Sequence, residues 1–158
     1  MTGIRIEQWD DSHARWPELV ELLELEGQLR WVLPDDGPLR PDAHVFVACD
    51  DEAVSGFIAF IVQEIGPPDD CPALGLTEAK VLAFGVRADR RRQGIGRALQ
   101  LELLGRASEL GCYQARSVTS IDREPNFRLK LALGFAVSPT IRRLREGDRP
   151  AFVFLRKL

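Results

Sequence analysis

A glycine-broken loop set between a strand pattern and a helix pattern constrains this chain more than any other feature. Val81, Leu82, Phe84 and Val86 make an apolar run of strand length, and Ala88-Asp89 supplies a turn. Ile95, Leu99, Leu103, Ala107 and Leu110 then recur at helical spacing, which predicts one buried stripe. Between the two patterns stands Arg91-x-x-Gly94-x-Gly96. With no side chain at Gly94 or Gly96, several backbone N–H groups at the helix start can converge on one anion. The positive end of the helix dipole points the same way. Arg91, Arg92 and Arg97 add charge around that nest, so a diphosphate is its natural guest. The loop lacks the Gly-x-x-x-x-Gly-Lys-Ser/Thr of a nucleotide triphosphatase and the Gly-x-Gly-x-x-Gly of a dinucleotide fold.

Val86 stands five residues before Arg91, and a Leu133-Gly134-Phe135 element occurs downstream. In this combination the chain resembles the Gcn5-related N-acetyltransferase (GNAT) family. The resemblance covers most of the chain in element order and is sharpest from Val86 to Ala98 and at Gly134-Phe135. It implies an α/β fold, a single N-acetyltransferase domain over residues 1–158 whose mixed, mostly antiparallel twisted sheet is flanked by helices. It also implies acetyl-CoA as co-substrate and no metal. The diphosphate would rest on Arg91, Arg92, Gln93, Gly94, Ile95, Gly96, Arg97 and Ala98, and the pantetheine amides would pair along Phe84, Gly85 and Val86. Asn126 would contact the pantetheine arm or the adenosine side, its alternative reading being a helix cap after Pro125.

A chain of 158 residues suits one domain that buries its own core. The net charge of −3 gives no nucleic-acid footprint, so the arginine run at 87–97 is a local feature. No apolar run approaches membrane-spanning length, and the first residues lack a signal-peptide core, which predicts a cytosolic protein. Cys49, Cys71 and Cys112 follow no metal or redox spacing. Cys49 reads as a small core residue on a strand and Cys71 as a loop thiol.

From the start, Gly3 to Trp9 reads as a strand. Asp11-Ser12 offers capping oxygens to a helix in which Trp16, Leu19, Val20 and Leu23 share a face, with Pro17 tolerable in the first turn. Residues 31–41 are too rich in proline and glycine to be regular, and long loops of this kind are usually functional. By the family resemblance, Trp31, Asp35 and Asp36 would meet a cationic acceptor; a solvated turn is the plainer reading. His44–Cys49 and Ala53–Val62 predict a hairpin closed by Asp50-Asp51-Glu52, and the segment from Gly66 to Pro72 breaks the chain again. After the long helix, Gly111 reads as its C-terminal cap. Ala115–Ile121 reads as a strand, Asn126–Leu133 as a short helix, and Thr140–Leu144 with Ala151–Leu155 as a second hairpin.

Direct acetyl transfer needs a deprotonated amine, an oxyanion stabiliser and a proton for the departing thiolate. Backbone N–H groups on the strand can serve the oxyanion. Relatives often carry an acid six positions before the residue equivalent to Val86, where this chain has Lys80. Glu78 lies on the same strand face about 6–7 Å farther along and is the candidate base, acting through a water, or else a solvent-facing strand-entry carboxylate. Relatives often place a tyrosine four residues before Gly-Phe, where this chain has Lys130; its single tyrosine, Tyr113, falls at the far end of the next strand. His13 and His44 read as structural.

The leading expectation is an acetyl-CoA-dependent N-acetyltransferase acting on a small-molecule or peptide amine. The acidic stretches at 35–36 and 69–70 favour a cationic acceptor, and dimers are common among similar proteins. The alternative is an acyl-CoA-binding sensor or interaction module that kept the nest and lost catalysis, motivated by Lys80 and Lys130.

Overall fold

The computed structural model describes residues 3–66 and 74–158, and Asp36 in its backbone only. The break at 67–73, with Asp69, Asp70 and Cys71, lies outside the described residues. In chain order the elements are β1 (Arg5–Trp9), α1 (Trp16–Leu25), α2 (Leu29–Val32), β2 (His44–Cys49), β3 (Val54–Glu64) and β4 (Thr77–Val86). They continue with α3 (Ile95–Glu109), β5 (Gln114–Ser120), α4 (Glu124–Ala132), β6 (Ala136–Leu144) and β7 (Gly147–Lys157). The seven strands form one sheet in the order β1-β2-β3-β4-β5-β7-β6. Its β4–β5 pair is parallel; β1–β2, β2–β3, β5–β7 and β6–β7 are antiparallel, so the expected mixed, mostly antiparallel sheet is present. Among the described residues the chain gathers into two compact units, up to 61 with 82–105 and 62–81 with 106–158, and β3, β4 and α3 contribute to both.

The first unit is built on α1. Trp16, Leu19, Leu22 and Leu23 recur at helical spacing and are buried in a cluster with Val45, Val47 and Phe57. The expected capping by Asp11-Ser12 does not occur. Asp10 instead accepts the Ser12 N–H at 2.9 Å, and α1 begins later, after Arg15, with Pro17 in its first turn, where a missing N–H costs nothing. At its other end Gly27 adopts φ +69°, and the Gln28 N–H closes back on the Leu23 carbonyl at 2.9 Å. The stretch at 31–41, expected to be irregular, contains the end of α2 and a 3₁₀ turn at Pro34–Asp36. The β2–β3 hairpin forms as expected, its turn fixed by Asp50, whose carboxylate accepts the Ala53 and Glu52 N–H groups at 2.8 and 2.9 Å. Those two bonds, with Arg90 nearby, hold the Asp50 carboxyl below its usual range.

Two glycines set the spacing at the heart of this unit. A methyl group on Gly56 would stand 2.9 Å from the Gly85 carbonyl oxygen, 3.1 Å from Leu99 and 3.3 Å from Ile95, so β3 meets β4 and the start of α3 with no room for a side chain. Gly56→Ala is therefore expected to lower stability by about 1–3 kcal/mol, read as a lower urea midpoint. Gly105→Ala, on the same helix but with nothing within 4 Å, should instead gain roughly 1 kcal/mol. Equal shifts for the two substitutions would refute this account of Gly56.

In the second unit Gly111 takes φ +77°, and the Cys112 N–H returns to the Ala107 carbonyl at 3.0 Å, the expected cap. Ile95, Leu99, Leu103 and Ala107 of α3 are buried as predicted, but Leu110 is exposed because the helix has already ended at Glu109. The short helix starts earlier than predicted, at Glu124 with Pro125 in its first turn, so Asn126 does not cap it. Phe127 of α4 meets Phe152 and Phe154 of β7 edge-on at 5.2 and 5.0 Å. The second hairpin runs from Ala136↔Leu155 to Leu144↔Gly147.

Candidate functional site

The loop after β4 is shaped by backbone rather than by side chains. Arg92 and Gly94 both adopt positive φ, +62° and +81°, within three residues of the first turn of α3. The first N–H groups of a helix have no partner inside it. Alternating the backbone's hand just before them turns successive N–H groups toward one point, a concavity suited to an anion. Ile95 is buried and anchors the loop, while Gln93, Gly94, Arg97 and Ala98 are exposed and Gly96 is half-buried. Ile4, Ile6, Ala48, Ile95 and Ala98 line an apolar recess beside Gly94.

The arginines divide by partner. Arg87 is forked onto Asp89 at 2.9 and 2.6 Å, and Arg90 reaches Asp50 at 3.4 Å. Arg91 donates to the Val86 carbonyl at 3.0 Å and faces the Glu26 carboxylate at 3.6 Å. Arg92 and Arg97, both exposed, have no ion-pair partner among the described residues and are the loop's available cations. This fits an anionic diphosphate, because nothing lies within 4 Å of a methyl group built on Gly94.

Upstream on β4, Phe84 and Val86 are half-buried and Gly85 is buried. The Phe84 N–H donates to Gln28 Oε1 at 2.9 Å, and Gln28 Nε2 donates to the Phe84 carbonyl at 2.9 Å. One side-chain amide thus satisfies one residue's backbone N–H and C=O together. Sequence reasoning missed Gln28. Trp31 lies on α2 with the Arg30 guanidinium 4.5 Å over its ring, and Asp35 is exposed at φ +54°. His13 stacks on Trp9 at 3.7 Å and His44 on Phe60 at 4.8 Å, the structural placements expected of them.

In the second unit Glu78 is 2% exposed, so it is not the solvent-facing carboxylate of the alternative reading. Its two oxygens accept from Gln63 Nε2 at 2.8 Å and Gln114 Nε2 at 2.7 Å, and Arg116 lies 3.8 Å away. Lys130 points inward from α4 and is 1% exposed. Its ammonium donates to Ser117 Oγ at 2.6 Å and Thr119 Oγ1 at 2.8 Å, two hydroxyls that alternate along β5, and lies 4.9 Å from the Phe154 ring. Burial pulls its pKa down to about 7. Asn126 is half-buried and its Oδ1 has no partner among the described residues. Tyr113 is exposed before the start of β5, with Lys157 5.7 Å from its ring. Burial raises the Cys49 and Cys112 thiols above their ordinary pKa, which disfavours the nucleophilic thiolate at both. Among the described residues no helix is long and apolar enough to cross a membrane, and no group of three or more His, Cys, Asp or Glu could hold a metal.

A family model described as the acetyltransferase (GNAT) family matches residues 4–135, from β1 through the loop and α3 to Phe135. The chain belongs to that family. Among curated proteins, none matches by sequence. Solved acetyltransferases share the GNAT fold. Arabidopsis thaliana NAA60 in complex with a bisubstrate analogue superposes with a TM-score of 0.75 at 15% identity, covering 98% of each chain. The ribosomal-protein-S18-alanine N-acetyltransferase of Escherichia coli gives 0.66 at 18% identity over 98% of this chain and 94% of its own. An IAA acetyltransferase from Bacillus cereus gives 0.64 at 13% identity over 99% and 100%. As a GNAT enzyme this protein is an acetyl-CoA-dependent N-acetyltransferase.

Proposed function

We propose that the chain, as one domain, transfers the acetyl group of acetyl-CoA to a primary amine by direct attack in a ternary complex. The observation that carries this is the nest of Arg92, Gly94 and the α3 N-terminus beside two available guanidinium groups. Arg91, Arg92, Gln93, Gly94, Ile95, Gly96, Arg97 and Ala98 hold the diphosphate in this reading, and Phe84, Gly85 and Val86 hold the pantetheine arm with Asn126. Acetyl-CoA supplies the activated acyl group: the neutral amine attacks its thioester carbonyl, the C–S bond breaks, and coenzyme A leaves as the thiolate and takes a proton from solvent. Backbone N–H groups along β4 offer fixed dipoles to the developing oxyanion. Glu78 takes the amine proton through a water, and its two amide donors and Arg116 orient it for that role. A peptide or protein amine is the favoured acceptor class, since the S18-alanine enzyme and an Arabidopsis thaliana Naa50 in complex with the bisubstrate analogue CoA-Ac-MVNAL share the fold. Asp35 adds a negative group for a cationic acceptor.

A free-thiol assay with acetyl-CoA against peptide and small amines tests this. Glu78→Gln is expected to lower kcat by about 100-fold with unchanged acetyl-CoA affinity. Unchanged turnover removes Glu78 as base. Tight acetyl-CoA binding with no thiol released by any amine would instead favour a sensor, a reading that the engagement of Lys130 by Ser117 and Thr119 supports.

A further inference from the structure

Two neighbours in sequence, Glu26 and Gln28, reach the same short stretch of chain from either side of Gly27. Gln28 takes both the N–H and the C=O of Phe84 at 2.9 Å. Glu26, whose side chain is only 11% exposed, faces Arg91 at 3.6 Å, and Arg91 in turn takes the Val86 carbonyl at 3.0 Å. Backbone groups of two alternate residues of β4 are therefore occupied by the protein's own polar side chains. The turn that delivers them is set by Gly27 at φ +69° and by the Gln28 N–H, which bonds the Leu23 carbonyl at 2.9 Å. A primary carboxamide that donates and accepts at one residue reproduces how a secondary amide would pair there.

We propose that the Glu26-Gly27-Gln28 turn is a latch on the donor strand, with Gln28 the internal occupant of an amide-binding subsite at Phe84. This rests on the donor reading of Phe84 to Ala98 given above. An amide of the acyl donor pairs at Phe84 only after the Gln28 carboxamide swings away, and Arg91 turns to an incoming phosphate only by leaving Glu26. Binding of the donor thereby frees the α1–α2 turn, and the two hydrogen bonds of Gln28 lower donor affinity by holding a closed state.

Gln28→Met keeps the side-chain length and removes both hydrogen bonds. Acetyl-CoA is titrated calorimetrically into wild type, Gln28→Met and Gly94→Asp, while heteronuclear NMR follows the Gln28 side-chain amide of wild type, a readout that needs no variant. Gln28→Met should bind about 3–10-fold more tightly. The Gln28 amide resonances should move to solvent-like positions as wild type saturates. Equal or weaker binding by Gln28→Met, or Gln28 resonances unmoved at saturation, overturns the latch; if Gly94→Asp still abolishes binding, the donor site itself stands. Absence of binding by wild type overturns both.

Discussion

Gly94→Asp is expected to weaken acetyl-CoA binding by about 1000-fold while leaving the protein folded. One carboxylate roughly 4 Å from one phosphate charge costs about 4 kcal/mol at the effective permittivity of a protein surface, which is close to three decades of affinity. The substitution costs little in packing, because nothing lies within 4 Å of a methyl group built on Gly94 and the position is exposed. Its remaining cost is the left-handed backbone at φ +81°, roughly 1–2 kcal/mol for a residue with a side chain. Gly94→Asn separates the two contributions, since asparagine tolerates that conformation and has nearly the same shape without charge. It should lose no more than about tenfold. Calorimetric titration of both variants decides the matter, and equal affinities would show that electrostatics at the nest is not what binds the donor.

Lys130→Met is expected to change the sign of its effect with pH. In the folded protein the Lys130 ammonium loses its proton near pH 7, against an ordinary value of 10.5. Between those values the unfolded chain binds more protons than the folded one, so wild-type stability rises with pH over that window and falls as pH drops back toward 7. The burial penalty at pH 7 is on the order of 4 kcal/mol. The Lys130→Met variant would escape it but leave the Ser117 and Thr119 hydroxyls without their donor, a loss of about 1–3 kcal/mol. The variant should therefore be the more stable protein near pH 7 and the less stable one near pH 10. Urea midpoints at the two pH values test this, and a difference that does not vary with pH would mean that Lys130 stays charged in the fold.

The strand, loop and helix from 80 to 107 were legible in sequence because each announces itself locally. The apolar run of β4, the glycines and the leucine spacing of α3 all act within a few residues of one another. Gln28 has no such signal. Its bonds to Phe84 cross 56 positions, and a glutamine after a helix-ending glycine looks like any surface polar residue. Lys130 has no such signal either, since nothing in the short polar helix around it marks which side chain turns inward. Only the alternation of Ser117 and Thr119 on β5 makes an inward ammonium tolerable. The capping expectation at Asp11-Ser12 failed because Asp10 captured Ser12 first and α1 began four residues later, at Trp16. Leu110 fits the helical period but lies past the last helical residue, so the period alone overran the element.

The lack of room for a side chain at Gly56, between the Gly85 carbonyl, Ile95 and Leu99, separates two things that a binding loop must get right. Where the loop sits is decided by close packing behind it, at positions such as Gly56 and Leu99 that meet no ligand. What the loop offers is decided by exposed residues such as Arg92 and Arg97, which support nothing in the core. Selection can therefore retune the strength and preference of donor binding by recoding the rim, while the two glycines stay as they are and keep every such variant in register.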